Sequence, residues 1–580
     1  MLFVVGSWFL WYCAITGIGK LFSVGVNKIY KRMPLFLEKD LGIFEFFWLG
    51  FTFLIASLGL LQIFYPLNGM ILGVCFLMGF IGHFLNKEQK SQEVNFLYLT
   101  MLFIVILAVS LPCVSVDGTL SFSYDTGLYH LSVVRWINEY ATVPGLANLH
   151  TRLGYGSASS FFTFAALFDN WIWDGRSAWL TVSFLLAMLL AQVLHKLFFG
   201  TTRLKIYSLI CFLYLLLELL LLRPGLYFDS VVFYILIIAG LHAVEMTGAG
   251  AKFNEMAEKK YFAFYIVPSM LTLAFTIKPV AVIVLLCCAV IYGMPFFQSL
   301  YRSDRKNFPK ITAVAIVPLL LLSGYLLRNL MTSGWPLFPA PYGGIAVQWS
   351  LPKETVENEY RVIKNWPRAS GHEFLDVGDK LFYEWAPSWL FRNFDKFNGV
   401  TFFLPLFFAF VMVLWYLMQK KRCKFHMIIF FTLFLSLIFW FFTGPDIRFA
   451  RGFVWLLVAF LVLAFYDTEG WGFSVLYNFI PRHTLRVITV AVAIEGILLF
   501  CVVLPYRNFK FSLWHIGRAA SRPVKSVTLN NGQTPSLVVW VPEESDRCGD
   551  APLPCTPYPD DRLRLFVPGD LGKGFYLKRE

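Results

Sequence analysis

The sequence predicts an all-α polytopic membrane protein with about fourteen transmembrane helices, two long extracytoplasmic loops and a small extracytoplasmic appendage at the C-terminus. Three observations predict this class. Of the 580 residues, 58% are hydrophobic and 15% are charged, and the mean hydropathy of +0.63 is too high for a soluble protein. Apolar runs recur at the length of a bilayer-spanning helix. Lysine and arginine concentrate in every second loop between these runs.

The apolar runs define the predicted spans, because a helix needs about 20 mostly apolar residues to cross a bilayer. The first run has no basic stretch before it and no small-residue cleavage site after it, so we expect a retained helix and not a signal peptide. The predicted spans are 1–19, 43–64, 67–86, 95–114, 176–197, 206–222, 229–247, 261–277, 280–298, 311–330, 399–418, 426–443, 449–467 and 487–505.

Basic residues determine the predicted orientation, because cytoplasmic loops carry the excess of lysine and arginine. Loops of one parity hold basic clusters, for example between Lys20 and Lys39, so we expect them in the cytoplasm. Loops of the other parity are then extracytoplasmic, including the long connections 115–175 and 331–398 and both chain termini. The net charge of +13 therefore indicates topology and contact with anionic membrane lipid, and not a nucleic-acid partner.

This topology divides the chain into five parts. They are the N-terminal helices (1–94), a membrane module (95–330) that includes the first long loop (115–175), the second long loop (331–398), the C-terminal helices (399–505) and the extracytoplasmic tail (506–580). In the first loop, residues 125–140 have the pattern of an amphipathic helix. Residues 157–168 are apolar but too short to span, so we expect a helix lying in the outer membrane interface.

The tail carries strand-like runs at 536–541 and 563–567 between clusters of proline and glycine. This pattern predicts a small ordered appendage, and the alternative is a segment loosely draped over the outer face. Cys548 and Cys555 lie close together in a polar stretch, so they form a possible disulfide if the tail is in an oxidising compartment.

The polar stretch after the fourth apolar run holds the strongest candidate for chemistry. Asp125 lies there among Tyr124, Tyr129 and His130, which are candidate substrate-binding residues. A carboxylate at the membrane surface, partly desolvated by aromatic rings, suits a general base that takes a proton from an acceptor hydroxyl or amine. The alternative is that Asp125 only caps the helix that follows it. Asp117 is the competing base, and its alternative role is that of a turn residue.

Several cations stand at the predicted outer mouths of helices, where they would suit a phosphate or diphosphate. Guanidinium groups bind phosphate bidentately and keep their charge. For each cation the alternative is a side chain that reaches toward lipid headgroups and binds no substrate. The candidates are Lys278, which precedes a helix-breaking proline, and Arg448, Arg451, Arg328 and Arg223.

Common catalytic motifs are absent from the sequence. It contains no Ser-His-Asp arrangement, Gly-rich nucleotide loop or HExxH motif, and its histidines and cysteines lack the spacing of metal ligands. The predicted outer loops contain no Asp-x-Asp pair. The sequence therefore indicates no metal and no other cofactor, and it argues against a soluble nucleotide-sugar enzyme.

The order of these parts resembles the GT-C superfamily of membrane glycosyltransferases, which includes protein O-mannosyltransferases and lipid A aminoarabinose transferases. The resemblance covers roughly residues 95–465. It rests on SYDTGLYH as the acidic loop, GSASSFFTFAALFDNWIWDGRSAWLTV as the interfacial segment, RPGLYFDS with its acid Asp229, TIKPVAV with Lys278, and RNLMTSGWPLFP at the entry to the later loop.

The resemblance implies a GT-C-like membrane module and an enzyme whose donor is a polyprenyl-phosphate-linked sugar. The acceptor would be a glycan, a lipid or a protein at the outer face of a bacterial cytoplasmic (inner) membrane, as in the biosynthesis of cell-envelope polysaccharides. By position in the motifs, Asp125 would be the base and Lys278 and Arg448 would contact the donor phosphate. Asp229 would line the substrate site.

Other readings remain. A polymerase or ligase of lipid-linked polysaccharide would depend on Arg448, Arg451 and Arg328 and not on Asp125. A transporter or flippase of a lipid-linked glycan would move its substrate without making a glycosidic bond. A structural scaffold would leave the polar clusters unexplained. The second long loop, rich in Trp, Pro and Gly over 334–389, is expected to cover the acceptor and to supply no catalytic residue.

Overall fold

The computed structural model describes residues 1–29, 41–85, 96–114, 123–221, 225–246, 261–301, 308–369, 377–378, 380–419, 423–469 and 523–578. Within these residues the chain is mostly helical, and its strands lie in the tail. In chain order the main helices are α1 (Leu2–Ile29), α2 (Ile43–Leu61), α3 (Gly69–Leu85), α4 (Phe96–Ser110), α5 (Leu131–Glu139), α6 (Thr151–Ala158), α7 (Ser160–Phe168), α8 (Ser177–Phe199), α9 (Thr202–Leu221), α10 (Phe228–Met246), α11 (Tyr261–Ile277), α12 (Val282–Tyr301), α13 (Phe308–Ser333), α14 (Lys353–Asn365), α15 (Phe382–Asn393), α16 (Leu404–Met418), α17 (Lys424–Thr443) and α18 (Arg451–Glu469).

Eight helices in the described part of the chain are long and apolar enough to cross a membrane. They are α1, α2, α8, α10, α13, α17, α18 and α16 together with the helical turns that precede it. The prediction of about fourteen spans is therefore not confirmed. Four further apolar helices, at Gly69–Leu85, Leu97–Cys113, Phe262–Ile277 and Pro279–Gly293, are shorter than the eight. The predicted span 487–505 lies outside the described residues.

Small residues set the packing of the N-terminal helices. A methyl group on Gly17 of α1 would collide with the backbone of Gly79 in α3, and one on Gly19 would collide with the backbone of Phe46 in α2. Glycine at these positions lets the helix backbones approach closely, which is a common way for helices to associate in a membrane. The three helices therefore form one tightly packed unit against the membrane module.

The first long loop folds into short helices that pack on the bundle. The predicted amphipathic helix is confirmed as α5, which follows a π-helical turn over Thr126–His130. The expectation of a helix lying in the outer interface is wrong for α7. All nine of its residues are buried, and it packs against α2, α5 and α8. Its apolar sequence is covered by protein on every side instead of by lipid on one.

The second long loop lies against the first. Phe338, Leu351 and Val356 form a small buried cluster with Ala147 of the first loop. The Asn148 side chain also donates a hydrogen bond of 2.9 Å to the carbonyl of Trp349. These contacts bring the two loops to one end of the helical bundle, which we call the loop end.

The described part of the tail, residues 523–578, packs on the first loop. Antiparallel pairs β1 (Val524–Thr528) with β2 (Val538–Pro542) and β3 (Leu563–Leu565) with β4 (Phe575–Leu577) confirm the two predicted strand regions. A disulfide joins Cys548 to Cys555. The Phe575 amide donates to the carbonyl of Pro144, at 2.8 Å. The tail therefore belongs to the loop end and is not loosely draped.

Candidate active site

Asp125 stands at the loop end and forms two ion pairs. One carboxylate oxygen lies 3.2 Å from a guanidinium nitrogen of Arg152, and the other lies 3.7 Å from one of Arg448. Its backbone is helical and its side chain makes no capping hydrogen bond. The alternative reading of Asp125 as a helix cap is therefore wrong. The side chain is 28% exposed, so it remains accessible to a substrate.

The π-helical turn after Asp125 is held from three directions. The Thr126 hydroxyl contacts the hydroxyl of Ser123 at 2.7 Å and accepts a hydrogen bond from the Leu226 amide at 3.2 Å. From the tail, the Gly549 amide donates to the carbonyl of Gly127 at 2.7 Å. π-helical turns are rare and occur frequently at functional sites. These contacts fix the position of Asp125 relative to both the bundle and the tail.

Charged side chains continue from Asp125 into the bundle as a row of alternating sign. Arg448 approaches Asp229 at 4.0 Å and pairs with Asp446 at 2.8 Å. Asp229, in the first turn of α10, forms an ion pair with Lys278. The row, which we call the charge row, consists of Arg152, Asp125, Arg448, Asp229 and Lys278.

A break between two helices places Lys278 in this row. α11 ends at Ile277, Lys278 has an extended backbone, and Pro279 begins the next helical turn. The Lys278 ammonium lies 3.2 Å from the ring centroid of Phe449 and 5.2 Å from that of Phe228. The aromatic faces stabilise a cation that is only 20% exposed. The deep end of the charge row is therefore a cation with apolar walls.

Exposure differs along the charge row. The Arg448 side chain is 49% exposed, whereas the Asp229 side chain is 16% exposed. The Arg448 guanidinium also lies over the ring of Phe449, 4.9 Å from its centroid. Burial opposes the charge of Arg448, but the carboxylates of Asp446 and Asp229 outweigh it and raise the pKa of Arg448 above its ordinary value. Arg448 is thus a permanently charged group that is half-exposed.

The remaining candidates of the first loop differ in their exposure. Tyr129 and His130 are buried. Burial lowers the pKa of His130 to about 3, so its imidazole is neutral, and Nδ1 lies 3.3 Å from the Thr126 hydroxyl. Tyr124 is exposed and donates a hydrogen bond to Asp546 of the tail. Of these residues, Tyr124 is the one that a substrate can reach directly.

The structure does not bring every predicted cation into the charge row. Arg328 is fully buried in α13, where it donates to the carbonyls of Gly324 and Ser157 at 3.1 Å and 3.0 Å. Arg451 points to the second loop and donates to the Asn398 side chain at 3.2 Å. Both arginines therefore bind protein groups away from Asp125. Asp117 and Arg223 lie outside the described residues.

Sequence reasoning missed four charged residues of this region. Arg152 pairs with Asp125, Asp446 pairs with Arg448, Asp546 bonds Tyr124, and Glu359 of α14 accepts a hydrogen bond from the Thr151 hydroxyl at 2.8 Å. The local signal for Asp446 was its place two residues before Arg448. The other three stand in polar loops where charged residues are common, so their sequence context does not single them out.

Within the described ranges no group of three or more His, Cys, Asp or Glu side chains is placed to hold a metal ion. The carboxylates of the charge row are each paired with a cation instead. The chemistry that this arrangement can perform is therefore proton transfer at Asp125 beside an anion-binding set of Arg448 and Lys278.

The apolar helices and the charge row at their loop end define a multi-pass helical membrane protein with a candidate polar active site. The chain belongs to the family described as "Domain of unknown function (DUF8201)", whose model matches residues 1–455. That range contains the whole charge row, and the described tail, 523–578, lies beyond it. No curated protein and no solved structure matches the chain.

Proposed function

We propose that the protein is a GT-C-type membrane glycosyltransferase. It transfers a sugar from a polyprenyl-phosphate-linked donor to a glycan, lipid or protein acceptor at the outer face of the cytoplasmic membrane. One observation carries the proposal. Asp125, which caps no helix, lies 3.7 Å from the half-exposed Arg448. Arg448 in turn approaches Asp229, which pairs with the largely buried Lys278.

The proposed reaction uses the two ends of the charge row for different tasks. Asp125 takes the proton from the acceptor hydroxyl, and the acceptor oxygen forms a bond to the anomeric carbon of the donor sugar. The bond between that carbon and the phosphate oxygen breaks, and its electron pair leaves on the polyprenyl phosphate. Arg448 and Lys278 stabilise the negative charge that develops on the phosphate. The products are the glycosylated acceptor and polyprenyl phosphate.

The geometry of the ion pairs supports this division. The contact of 3.7 Å between Arg448 and Asp125 is within ion-pair range but longer than a hydrogen bond. A donor phosphate that draws Arg448 toward itself would therefore leave one Asp125 oxygen available to the acceptor. Arg152 would hold the other oxygen, at 3.2 Å, and so keep the carboxylate in place.

The position of Lys278 suits a lipid-linked donor. Its ammonium lies between the rings of Phe228 and Phe449, close to apolar helices that can flank a polyprenyl chain. A phosphate at this depth would keep its charge near the loop end while its chain stays in the bilayer. A soluble nucleotide sugar would gain nothing from such a site.

The polymerase or ligase alternative has less support, because Arg328 and Arg451 bind protein groups and do not join Arg448. A flippase would use the same cations without a base, so Asp125 separates the two functions. The test uses membranes of cells that lack the protein. Their accumulated lipid-linked sugar is the donor, and their unmodified envelope fractions are the acceptors.

Purified protein should transfer the labelled sugar to one of these fractions and release polyprenyl phosphate. The Asp125→Asn variant should fold and lose transfer. The control is Asp560→Asn, which changes a partly exposed aspartate of the tail that pairs with Arg562 and should transfer normally. Transport of the intact donor across vesicles, without formation of a glycosidic bond, would identify a flippase and contradict the proposal.

A further inference from the structure

Three segments that are distant in sequence meet beside Asp125. The first loop contributes Tyr124 and the stretch from His150 to Arg152. The second loop contributes Glu359, whose Oε2 accepts a hydrogen bond of 2.8 Å from the Thr151 hydroxyl. The tail contributes Tyr558, whose ring centroid lies 5.6 Å from that of His150. Neither Glu359 nor Tyr558 has a role in the proposed reaction.

Two tyrosine rings at this junction are largely open. Tyr124 is 52% exposed and Tyr558 is 60% exposed. Each is nevertheless anchored, because Tyr124 donates to Asp546 and the Tyr558 backbone amide donates to the Thr556 hydroxyl at 3.2 Å. Thr556 in turn donates to the carbonyl of Leu149, at 2.9 Å. Both residues are thus anchored, while more than half of each side chain stays exposed.

Glu359 offers an acceptor that is not used within the described structure. Its Oε2 is bonded by Thr151, whereas its Oε1 is buried and has no hydrogen-bond partner among the described residues. A shielded carboxylate oxygen without a donor is unfavourable, and such atoms in folded proteins call for an explanation. The Glu359 residue as a whole is only half-buried, and a ligand hydroxyl toward which its side chain turns Oε1 would supply the missing donor.

Charge links Glu359 to the proposed base. Burial works against the charge of Arg152, but Tyr155 and Tyr129 and the carboxylates of Glu359 and Asp125 outweigh it and raise its pKa. Arg152 pairs with Asp125, and Glu359 bonds Thr151, the residue next to Arg152. Adjacent residues of α6 thus connect Glu359 to Asp125, and a ligand at Glu359 would lie close to the proposed base.

The combination of exposed aromatic faces with carboxylate and guanidinium groups selects one class of ligand. Aromatic rings pack against the apolar C–H faces of sugars, carboxylates accept their hydroxyl protons, and guanidinium groups donate to their oxygens. Arg152, the cation among these groups, is already paired with Asp125, so it offers little attraction to an acidic ligand, which would also meet the carboxylate of Glu359. A neutral, hydroxyl-rich chain meets matched partners.

We infer that Tyr124, Tyr558, Glu359 and Arg152 form an acceptor subsite for a neutral carbohydrate, which the tail completes, next to Asp125. This inference rests on the proposed function, because it concerns the acceptor of that transfer. It assigns the acceptor class, and it gives the second loop and the tail a direct part in specificity.

The test measures the transfer rate against the concentration of each acceptor fraction, namely polysaccharide, glycolipid and protein, from cells that lack the protein. Transfer to a carbohydrate chain, free or lipid-borne, is expected. In Glu359→Gln and Tyr558→Ala the acceptor KM should rise at least about tenfold, with kcat changed much less. Tyr558→Phe keeps the ring and should restore most of the wild-type KM.

Matched controls separate this subsite from folding and from the donor site. Glu357→Gln lies on the same helix, in an exposed pair with Lys353, and should leave the acceptor KM unchanged. Binding of undecaprenyl phosphate, measured on each purified variant, should equal that of the wild type. A loss of this binding in Glu359→Gln would mean general disruption and would overturn the assignment.

The failure of this inference differs from the failure of the proposed function. Unchanged acceptor KM values in Glu359→Gln and Tyr558→Ala, or transfer only to the protein fraction, would overturn the carbohydrate subsite and leave glycosyl transfer standing. A wild-type protein that neither transfers sugar nor binds undecaprenyl phosphate would remove the proposed function, and the subsite with it.

Discussion

Lys278→Met is the substitution that most sharply tests the deep end of the charge row. The Lys278 and Asp229 side chains are 20% and 16% exposed and form an ion pair. The next cation near Asp229 is Arg448, at 4.0 Å. Methionine preserves most of the side-chain volume but removes the charge, so Asp229 would keep only a distant partner in an apolar setting.

The expected loss of folding free energy in Lys278→Met follows from the burial of this ion pair. Removing one partner of a buried ion pair costs about 3–5 kcal/mol of folding free energy, because the other charge stays desolvated. The double variant Lys278→Met/Asp229→Asn removes both charges, so its folding free energy should be within about 1 kcal/mol of the wild type. The exposed Lys353, 71% accessible and paired with Glu357, provides the control: Lys353→Met should change stability by less than about 0.5 kcal/mol.

The assay has two readouts on the same purified proteins. Thermal unfolding in detergent should give a clearly lower Tm for Lys278→Met and a Tm near that of the wild type for the double variant. Binding of undecaprenyl phosphate should be lost in both, because both lack the cation. Equal Tm values for the single and double variants would refute the proposed cost of leaving Asp229 unpaired. Wild-type binding by the double variant would refute the phosphate role of Lys278.

The remaining predictions concern the exposed end of the charge row and the tail. Arg448→Gln should weaken undecaprenyl phosphate binding by about tenfold or more, and Arg448→Lys by less, in a titration of the purified proteins; equal affinities would contradict its role. Burial lowers the pKa of His150 to about 3. The stabilisation that comes from keeping His150 neutral is fully present above about pH 6.5 and is lost as the pH falls toward 3, so the free energy of unfolding drops by about 2 kcal/mol at pH 5. His150→Gln should flatten this pH dependence in thermal unfolding. Replacing Cys548 and Cys555 by serine should destabilise the tail by about 2–3 kcal/mol and speed hydrogen exchange at the Gly549 amide, whereas unchanged exchange would show that the bridge does not hold this contact.

The candidate residues that the sequence singled out share one property. Asp125, Asp229, Lys278 and Arg448 are ionisable groups next to long apolar runs, where a charge is expensive and therefore conspicuous. The structure joins these four in one row. Their positions could be recognised in the sequence because the neighbouring membrane segments are almost entirely apolar.

Sequence position is a poor guide to a charged residue whose role depends on the group that it contacts in the folded protein. Arg328 has the sequence context of a helix mouth, yet two nitrogens of its buried guanidinium donate to carbonyls of its own helix and of the first loop. Arg152 pairs with Asp125 across 27 residues, and Asp546 reaches Tyr124 across 422. Such pairings depend on how the loops and the tail fold against each other. Hydropathy and motif patterns carry no signal for them.

The helix count shows a related limit. Hydropathy marks apolar runs, but it does not determine whether the resulting helix is long enough to span the membrane or what covers it. α11 covers its predicted run, 261–277, but with 17 residues it is shorter than the eight helices that are long enough to span, and α7 is buried in protein although its composition suits an interface. Apolar sequence therefore predicted the class of the fold better than the number of spans.

The most direct test of the central claim is the transfer rate of Asp125→Asn with an intact lipid-linked donor, measured beside Asp560→Asn. Asparagine keeps the shape of the side chain but accepts no proton at neutral pH, so transfer should fall by about 100-fold or more. Undecaprenyl phosphate binding should be retained and the Asp560→Asn rate should equal that of the wild type. Transfer by Asp125→Asn at the wild-type rate would contradict the account.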